Sequence, residues 1–396
     1  MRLSAPFLKA MPVLEKIESK GYEAYFVGGC VRDCLLDRQI NDIDIATSAT
    51  PEEIKEIFSK TVDVGIEHGT VLVLVNKEAF EITTFRSEGT YSDHRRPDEV
   101  SFVRSLDEDL KRRDFTMNAM ALSTSGELVD FYEGRAAINE RVIRTVGTAA
   151  ERFSEDALRM LRAARFASQL GFSIDKEAIR AMSRQKALLT YVAVERKRME
   201  FDKLLNGPNV KDALKYLHET DLLPFLPGFD HTAKLDQLLM DDMEGLSLIE
   251  RWALIVIRLN IRDVPSYLKM WRHSMKRVKE IEQLIIQMNK RYSHPYTPFS
   301  LYQTGLPLAL QTQSLYLYLT ACKNEKQPLH DMWDSLPIKN RAELKVNGKL
   351  LQAWIGGKPG RWLGALIQDI EQKVIEGSIE NNENEIKEWV KQWHQK

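Results

Sequence analysis

The chain has 396 residues, 43% of them hydrophobic, which is enough for more than one hydrophobic core and indicates several domains. Its formal net charge of −1 excludes a surface that is basic overall, so any nucleic-acid site must be a local patch. The three cysteines form neither a disulfide framework nor a zinc pattern, and the absence of a membrane-length apolar stretch or a signal-peptide layout predicts a cytoplasmic protein.

The first elements predict a helix, a strand and a glycine turn. Residues 7–20 have the apolar spacing of a helix that ends at Gly21, and the short apolar run 24–27 predicts a strand. Gly28 and Gly29 end this strand and precede a second helical pattern. Paired glycines let backbone N–H groups approach a phosphate closely at the positive end of the next helix.

The segment 42–46 alternates acidic and aliphatic residues. Side chains two apart in a strand lie on the same side, about 6.6 Å apart along it, so Asp42 and Asp44 should share one face. Carboxylate oxygens suit a hard cation such as magnesium. A lone Asp-x-Asp is most often a solvated loop, and a lone Gly-Gly is usually a turn. Both within one strand–turn–helix–strand unit favour a site for a nucleotide triphosphate.

A helix and three strands are predicted next. A capping box at Thr50 begins the helix, and strand-like segments cover residues 62–64, 70–75 and 80–85. Glu81 lies in the last of these. Two interpretations of it have equal support: a third carboxylate that handles metal or protons beside the two aspartates, or a surface strand residue.

The sequence Gly-Gly-Cys-Val-Arg-Asp-x-Leu-Leu at 28–36, followed by Asp-Ile-Asp-Ile-Ala at 42–46, resembles a known head motif. It is that of the tRNA nucleotidyltransferase and poly(A) polymerase family, in the class II branch of the DNA polymerase β superfamily. The resemblance implies an α+β fold, with a polymerase β-like head of mixed sheet and helices followed by an all-helical neck, body and tail. We place the head at 1–147, the neck at 148–225, the body at 226–325, and a tRNA-binding tail at 326–396.

Residues 86–98 are polar and have few apolar anchors. This segment resembles the flexible loop of CCA-adding enzymes, which helps the site change from C to A addition. The alternative is an ordinary hairpin loop.

Residues 112–118 match the family motif Arg-Arg-Asp-Phe-Thr-x-Asn. Guanidinium groups at Arg112 and Arg113 suit the oxygens of a triphosphate. Asp114, Thr116 and Asn118 could bind a ribose, whose hydroxyls both donate and accept hydrogen bonds. The alternative is an exposed arginine pair with a helix cap at Asp114.

A second group of charged residues begins at Ser154, the predicted N-cap of a helix with Glu155 and Asp156 in its first turn. Glu155 and Arg159 are four residues apart and can pair on one face. The pattern alone indicates a helix laced with salt bridges. The sequence Glu-Asp-x-x-Arg, however, matches the nucleotide-selecting motif of class II enzymes.

An acid beside a guanidinium complements both cytosine and adenine. Asp156 would accept a hydrogen bond from the amino group, and Arg159 would donate one to the neighbouring ring nitrogen. Uracil and guanine present the reverse pattern, and the mispairing would cost about 1–3 kcal/mol. Glu155 would hold Arg159, while Arg162 and Arg165 would face phosphates or the RNA end.

The remaining chain has helical patterns from Asp175 onward. Residues 194–200 resemble the next family motif and are predicted to brace the nucleotide-binding helix. The segment 339–361 is basic and loop-rich, which suits contact with an RNA phosphate backbone. The alternative, that these residues are solvated helix ends, has nearly equal support. Trp389 and Trp393 are predicted to pack against the tail.

The resemblance implies CCA addition to tRNA 3′ ends from CTP and ATP. It implies that Asp42 and Asp44 bind two magnesium ions, while phosphates are held by Gly28, Gly29, Arg32 and Arg113.

Three alternatives are weaker. A poly(A) polymerase usually has a Gly-Arg-Arg-Phe-like stretch, where this chain has Val-Gly-Ile-Glu-His-Gly at 64–69. A CC-adding specialist tends to lack the loop 86–98. A non-catalytic RNA-binding module predicts missing carboxylates, and both aspartates are present.

Overall fold

A computed structural model describes residues 3–65, 69–89, 100–229, 235–321, 328–356 and 360–394 of the protein. The chain divides into two compact units, Met1–Glu244 with Ser266–His273, and Gly245–Pro265 with Ser274–Lys396. The predicted loop 86–98 lies outside the described residues beyond position 89.

The first unit is built on a mixed β-sheet, which confirms the predicted head. In the described chain the strands are β1 (Ala24–Val27), β2 (Asp44–Thr47), β3 (Thr61–Gly65), β4 (Thr70–Val75), β5 (Glu78–Thr84), β6 (Arg86–Glu88), β7 (Val100–Phe102), β8 (Ala121–Leu122), β9 (Leu128–Val129), β10 (Val142–Ile143) and β11 (Ser173–Ile174). The main sheet has the order β3-β4-β5-β2-β1-β8-β9, with β2 and β5 parallel and the other neighbours antiparallel. β6 and β7 form a separate antiparallel ribbon, and β10 pairs with β11 in parallel.

Helices precede, separate and follow these strands along the chain, and the regular elements described after β11 are all helices. They are α1 (Ala5–Glu18), α2 (Gly29–Leu35), α3 (Pro51–Ile57), α4 (Leu106–Lys111), α5 (Gly134–Glu140), α6 (Ala149–Glu155), α7 (Leu158–Leu170), α8 (Lys176–Gln185), α9 (Val194–Leu205), α10 (Val210–Glu219), α11 (Leu235–Leu238), α12 (Leu248–Arg258), α13 (Val264–Met270), α14 (Met275–Ser293), α15 (Pro298–Thr304), α16 (Leu306–Thr320), α17 (Leu329–Asp334), α18 (Gly348–Ile355), α19 (Arg361–Ile375) and α20 (Glu383–His394). The helical character predicted after the head is therefore confirmed. None of the described helices is both long and apolar enough to cross a membrane.

Local sequence signals account for several helix ends. α3 begins with the predicted capping box, in which Thr50 Oγ1 accepts the Glu53 N–H and the Glu53 carboxylate accepts the Thr50 N–H. Ser247 and Glu250 form the same reciprocal pair at the start of α12. These pairs satisfy N–H groups that a helix leaves unbonded in its first turn, and each such cap contributes about 1 kcal/mol.

The order of strands determines where the glycine turn and the acids meet. β1 and β2 are antiparallel neighbours, with Phe26 opposite Ile45. The end of β1, which Gly28 follows, therefore lies beside the start of β2 at Asp44. On the other side of β2, the parallel register places Glu81 of β5 opposite Asp44.

The helix predicted to begin at Ser154 is interrupted, and that prediction is wrong. Ser154 and Glu155 are the last residues of α6, Asp156 is extended with a φ of −135°, and α7 begins at Leu158. The Asp156 carboxylate accepts the Leu158 N–H at 3.0 Å. This local bond offers the backbone an alternative to a continuous helix, so Asp156 lies in a turn that precedes α7.

The second unit is helical. One of its core clusters contains Leu351, Leu366 and Ile370, and both Trp389 and Trp393 pack against it. The prediction for the two tryptophans is confirmed.

Candidate active site

A cavity of about 890 Å³ opens in the first unit, where β1 ends and β2 begins. The structure brings most of the predicted site residues together in its lining: Gly28, Gly29, Arg32, Asp42, Asp44, Arg113, Asp114, Asn118, Asp156, Arg159, Arg162 and Arg165. Two predicted residues lie elsewhere. Glu81 lines a second cavity of about 820 Å³, and Glu155 is ion-paired with Arg159.

Gly28 has a backbone conformation that other residues rarely adopt, with a φ of +72°. It precedes α2 as its N-cap. A Cβ at this position would lie 3.0 Å from Nη1 of Arg113 and 3.6 Å from Oδ2 of Asp44. The turn therefore has room for a glycine only, and a phosphate bound to its backbone would also meet Arg113.

Arg32 is oriented by three contacts in the cavity wall. Its Nη1 donates to Oδ1 of Asn118 at 2.7 Å, and its Nε donates to Oδ1 of Asp33 at 2.9 Å. The guanidinium lies 5.1 Å from the ring centroid of Phe166. These contacts fix the direction of a planar group that suits phosphate oxygens.

Asp42 and Asp44 line both cavities. The strand predicted from position 42 begins only at Asp44, yet the two carboxylates still share one surface. Burial raises the pKa of Asp44, Arg113 opposes the rise, and the charges of Glu81 and Asp42 add to it. In the described part of the chain, no hydrogen bond or ion pair is found for these three carboxylates.

The donor set of Asp42 and Asp44 fits a hard divalent cation. Carboxylate oxygens are the ligands that Mg²⁺ prefers, and a cation would reduce the repulsion between neighbouring acids. Among the described residues, no three His, Cys, Asp or Glu side chains are grouped so that they could hold a metal. The two aspartates therefore carry the candidate metal site without a preformed third ligand.

Arg159 is held in place by several contacts within the protein. Glu155 pairs with it as predicted. The carbonyls of Arg112 and Arg152 accept further hydrogen bonds from its guanidinium at 3.1 and 3.2 Å. Arg159 is only 8% exposed and lines the cavity. The guanidinium N–H groups that these partners do not occupy are therefore directed to the cavity.

Asp156 is paired with Arg196 on α9. The guanidinium of Arg196 donates to both carboxylate oxygens, at 2.7 and 3.3 Å. Glu200, on the same helix, pairs with Arg165 of α7 at 2.6 Å. The prediction that residues 194–200 brace the nucleotide-binding helix is confirmed by these contacts.

The residues predicted to bind ribose contact each other and α7. Asp114 is 8% exposed and accepts hydrogen bonds from Nε of Arg162 at 2.7 Å and Nδ2 of Asn118 at 3.1 Å. Burial acts to raise the pKa of Asp114, but the Arg162 guanidinium outweighs it and the pKa is lowered to about 2. An exposed helix cap at Asp114 does not fit this burial.

Arg165 is less available than the sequence suggests. It is 8% exposed, lies 3.7 Å from the ring centroid of Phe166, and is neutralised by Glu200. Burial lowers its pKa to about 10, although Glu200 opposes the shift. Arg165 therefore supports the cavity wall more than it offers a free charge.

Sequence reasoning missed Lys203 in the cavity wall and placed Arg196 only within a bracing segment. They lie seven residues apart on α9, and this spacing places them on one face of the helix. The sequence shows this spacing, but it does not show that this face of α9 lines the cavity.

Three family models match the chain. Residues 24–144 match the poly A polymerase head domain, residues 171–232 the probable RNA and SrmB-binding site of polymerase A, and residues 247–390 the putative domain 2 of tRNA nucleotidyltransferase. The CCA-adding enzyme of Enterococcus faecalis (strain ATCC 700802 / V583) is 45% identical over 98% of this chain and 97% of its own length. That of Bacillus cereus (strain ATCC 10987 / NRS 248) is 43% identical over 98% of each chain.

The chain belongs to the CCA-adding enzyme family. The predicted resemblance is confirmed, and with it the assignment as a nucleotidyltransferase. CCA-adding enzymes are nucleotidyltransferases, which generally use divalent metal ions.

Solved structures of CCA-adding enzymes share this fold. The crystal structure of the Bacillus stearothermophilus CCA-adding enzyme in complex with CTP is 40% identical, with a TM-score of 0.90 over 99% of this chain and 98% of that one. The Thermotoga maritima CCA-adding enzyme complexed with tRNA has a TM-score of 0.69 at 23% identity, covering 99% and 96%. At that identity the likeness shows the fold alone.

Proposed function

We propose that this protein adds C, C and A in turn to the 3′ end of tRNA, using CTP and ATP without a nucleic-acid template. The observation that carries the proposal is a single cavity lined by two carboxylates, a Gly-Gly turn with arginines, and an acid–arginine pair. Full-length similarity to CCA-adding enzymes, whose structures include complexes with CTP, ATP and tRNA, supports it. The tRNA substrate is the reason for proposing a cytoplasmic location.

The triphosphate would lie at the glycine turn. The backbone of Gly28 and Gly29 is open to close approach, and Arg113 lies against the turn. Arg32 presents its guanidinium from the neighbouring wall of the cavity. Charge-assisted hydrogen bonds from these groups would hold the nucleotide with its α-phosphorus near the two aspartates.

Asp42 and Asp44 would hold two magnesium ions. When bound, the ions would supply activation of the tRNA 3′-hydroxyl and neutralisation of charge on the triphosphate and on leaving pyrophosphate. The 3′-oxygen forms a bond to the α-phosphorus while the bond to the bridging oxygen of the β-phosphate breaks. Glu81 lines the second cavity beside both aspartates, and there it could accept the hydroxyl proton.

The base would be read by Asp156 and Arg159. Asp156 would accept from the amino group of cytosine or adenine, and Arg159 would donate to the adjacent ring nitrogen. Arg196 and Glu155 hold these two side chains in fixed orientations, so the protein itself sets the pattern of donors and acceptors. Asp114 and Asn118 line the cavity and would contact the ribose, and Arg162, which donates to Asp114, would face phosphates or the RNA end.

The proposed division of labour follows the predicted regions. The head, 1–147, would perform the chemistry, and the neck, 148–225, would select the base. The tail, 326–396, would bind tRNA, and the match to the putative domain 2 of tRNA nucleotidyltransferase at 247–390 covers most of the body and tail.

Two other activities share the same head. A poly(A) polymerase would use the same carboxylates, but the relatives that match the whole chain are CCA-adding enzymes. A CC-adding specialist would stop after two residues.

The test uses a tRNA transcript that ends at the base before CCA, incubated with Mg²⁺ and CTP, ATP or both. Gel resolution of product lengths should show two added residues with CTP and a third only when ATP is also present. Products that stop at two despite ATP would establish a CC-adding enzyme, and a long ladder with ATP alone would establish a poly(A) polymerase.

A further inference from the structure

Asp109 is a buried acid that the proposed chemistry does not use. It lies in α4 and is 1% exposed. Its Oδ1 accepts from Nη2 of Arg112 at 2.7 Å and from Nε of the same residue at 3.0 Å. Its Oδ2 accepts from Nη2 of Arg113 at 3.0 Å. One carboxylate therefore binds both arginines of the Arg-Arg motif.

This carboxylate must be ionised to hold two guanidinium groups. Burial acts to raise the pKa of Asp109, but Arg113 and Arg112 outweigh burial and the pKa lies below its ordinary value. Without the negative charge, two guanidinium groups would lie side by side in a largely buried place and repel each other. The position of each arginine thus depends on the same acid.

The two arginines are the part of this network that reaches the cavity. Arg112 and Arg113 line it, whereas Asp109 is not among the described lining residues. Nη1 of Arg113 lies 3.0 Å from the place where a Cβ on Gly28 would be. The other terminal nitrogen of Arg113, Nη2, donates its hydrogen bond to Asp109. Asp109 therefore sets the distance between Arg113 and the glycine turn.

The same helix end also contacts the base-reading side. The carbonyl of Arg112 accepts from Arg159 at 3.1 Å, and the carbonyl of Lys111 accepts from Arg152 at 3.2 Å. The backbone N–H of Arg86, at the start of β6, donates to Oδ1 of Asp109 at an N–O distance of 3.4 Å. These hydrogen bonds hold α4 and the residues after it in place on several sides. Asp109 in turn holds the side chains of Arg112 and Arg113.

We propose that Asp109 is a positioning residue for the nucleotide triphosphate, acting through Arg112 and Arg113. The inference rests on the proposed function, since it deepens the account of the same cavity. The competing explanation is that the buried ion pairs serve folding stability alone. The two explanations differ in what they predict for the triphosphate and for the nucleobase.

The test compares Asp109→Asn with Glu108→Gln, which neutralises the adjacent, exposed acid of the same helix. In the full-length protein, Asp109→Asn should raise the KM for CTP and for ATP by about tenfold or more, and equally, because the triphosphate is common to both. Calorimetry should show weakened binding of CTP and little change for CMP. Glu108→Gln should match the unmodified protein in each measurement.

Asp109→Glu separates charge from packing. The added methylene strains a buried position, so its melting temperature should fall, while the retained charge should keep the KM closer to that of the unmodified protein than in Asp109→Asn. The proposal would be overturned if the KM rose in proportion to the loss of melting temperature in both variants, whether or not the side chain at position 109 kept its charge. Unchanged CTP binding in a folded Asp109→Asn protein would overturn it as well. If the asparagine form does not fold, an equal loss of CTP and CMP binding in Asp109→Glu, in step with its lower melting temperature, would overturn the proposal.

Failure of the proposed function has a different signature. If the unmodified protein adds no nucleotide to tRNA, the CTP and CMP calorimetry still measures whether Asp109 positions a triphosphate. If the unmodified protein adds CCA and Asp109→Asn behaves like Glu108→Gln, only the inference on Asp109 fails.

Discussion

The two ends of the cavity manage charge in opposite ways. At the end that we propose reads the base, Asp156 is bound by Arg196, Arg159 by Glu155, and Asp114 by Arg162. Each of these side chains therefore has its orientation set by a protein partner. A preset donor and acceptor pattern can distinguish bases because a mismatched base leaves a buried polar group unpaired.

At the carboxylate end, the acids lack such partners. Asp42 and Asp44 at this end, and Glu81 in the second cavity, have no ion pair within the part of the chain that the structure describes. Their mutual repulsion contributes to the raised pKa of Asp44. The comparison teaches that the charges at one end of the cavity are neutralised within the protein, while those at the other are not, which supports the proposal that cations bind there.

The largest effect is expected at the carboxylate end. Asp44→Asn should reduce nucleotide incorporation by about 1,000-fold or more, because loss of a metal ligand removes several kcal/mol of transition-state stabilisation. Incorporation rates on the tRNA transcript measure this, and filter binding should show tRNA affinity unchanged. Asp63→Asn, at an exposed acid paired with Lys55, is the matched control. Incorporation within tenfold of normal would refute the metal assignment.

At the base-reading end, Asp156→Asn should relax selection without removing activity. The amide offers a donor as well as an acceptor, so the preference for CTP over UTP in kcat/KM should fall by about 10- to 100-fold. Competition between the two nucleotides on one transcript measures the ratio. An unchanged ratio would show that Asp156 does not read the base.

The glycine turn should give a smaller effect that is shared by both nucleotides. Gly28→Ala forces a side chain into a backbone region that costs about 1–3 kcal/mol and crowds Arg113. The KM for CTP and ATP should rise together, and the melting temperature should fall. Gly21→Ala is the control, since its φ is +88° with nothing within 4 Å of the added Cβ. It should lower stability and leave KM unchanged.

The smallest effect is expected for a charge pair outside the cavity. Hydrogen bonds from Arg104 lower the pKa of Glu53 to about 2, and Glu53 also closes the capping box of α3. Glu53→Gln should lower the free energy of unfolding by about 0.5–1 kcal/mol at neutral pH, with no change in KM, because it removes the ion pair with Arg104 while glutamine can still accept the Thr50 N–H.

The pH dependence has a definite sign. A lowered pKa means that the ionised Glu53 stabilises the folded state above its ordinary pKa, and that this contribution is lost as the pH falls towards about 2. Urea unfolding of both forms between pH 7 and pH 2 should show the difference shrinking. A difference that grows with acidity would contradict the assigned pairing.

Much of the fold and the site could be predicted from local patterns. The strand at 24–27 that ends at Gly28 and the Thr50 capping box depend on neighbours a few residues away, and both were found where predicted, while the strand predicted from position 42 begins at Asp44. The motif spacing also identified most of the cavity lining. Residues close in the chain share one backbone conformation, so sequence alone determines how they are presented.

Tertiary structure alone decided which charges are paired. Asp156 and Arg196 are forty positions apart, and the break between α6 and α7 that lets them meet contradicted the single helix predicted from Ser154. Asp109 follows two other acids in a charged segment, and only the structure shows that packing buries it against two arginines. Burial and long-range pairing set the energy of a charge, and both depend on which elements pack together, which no local pattern specifies.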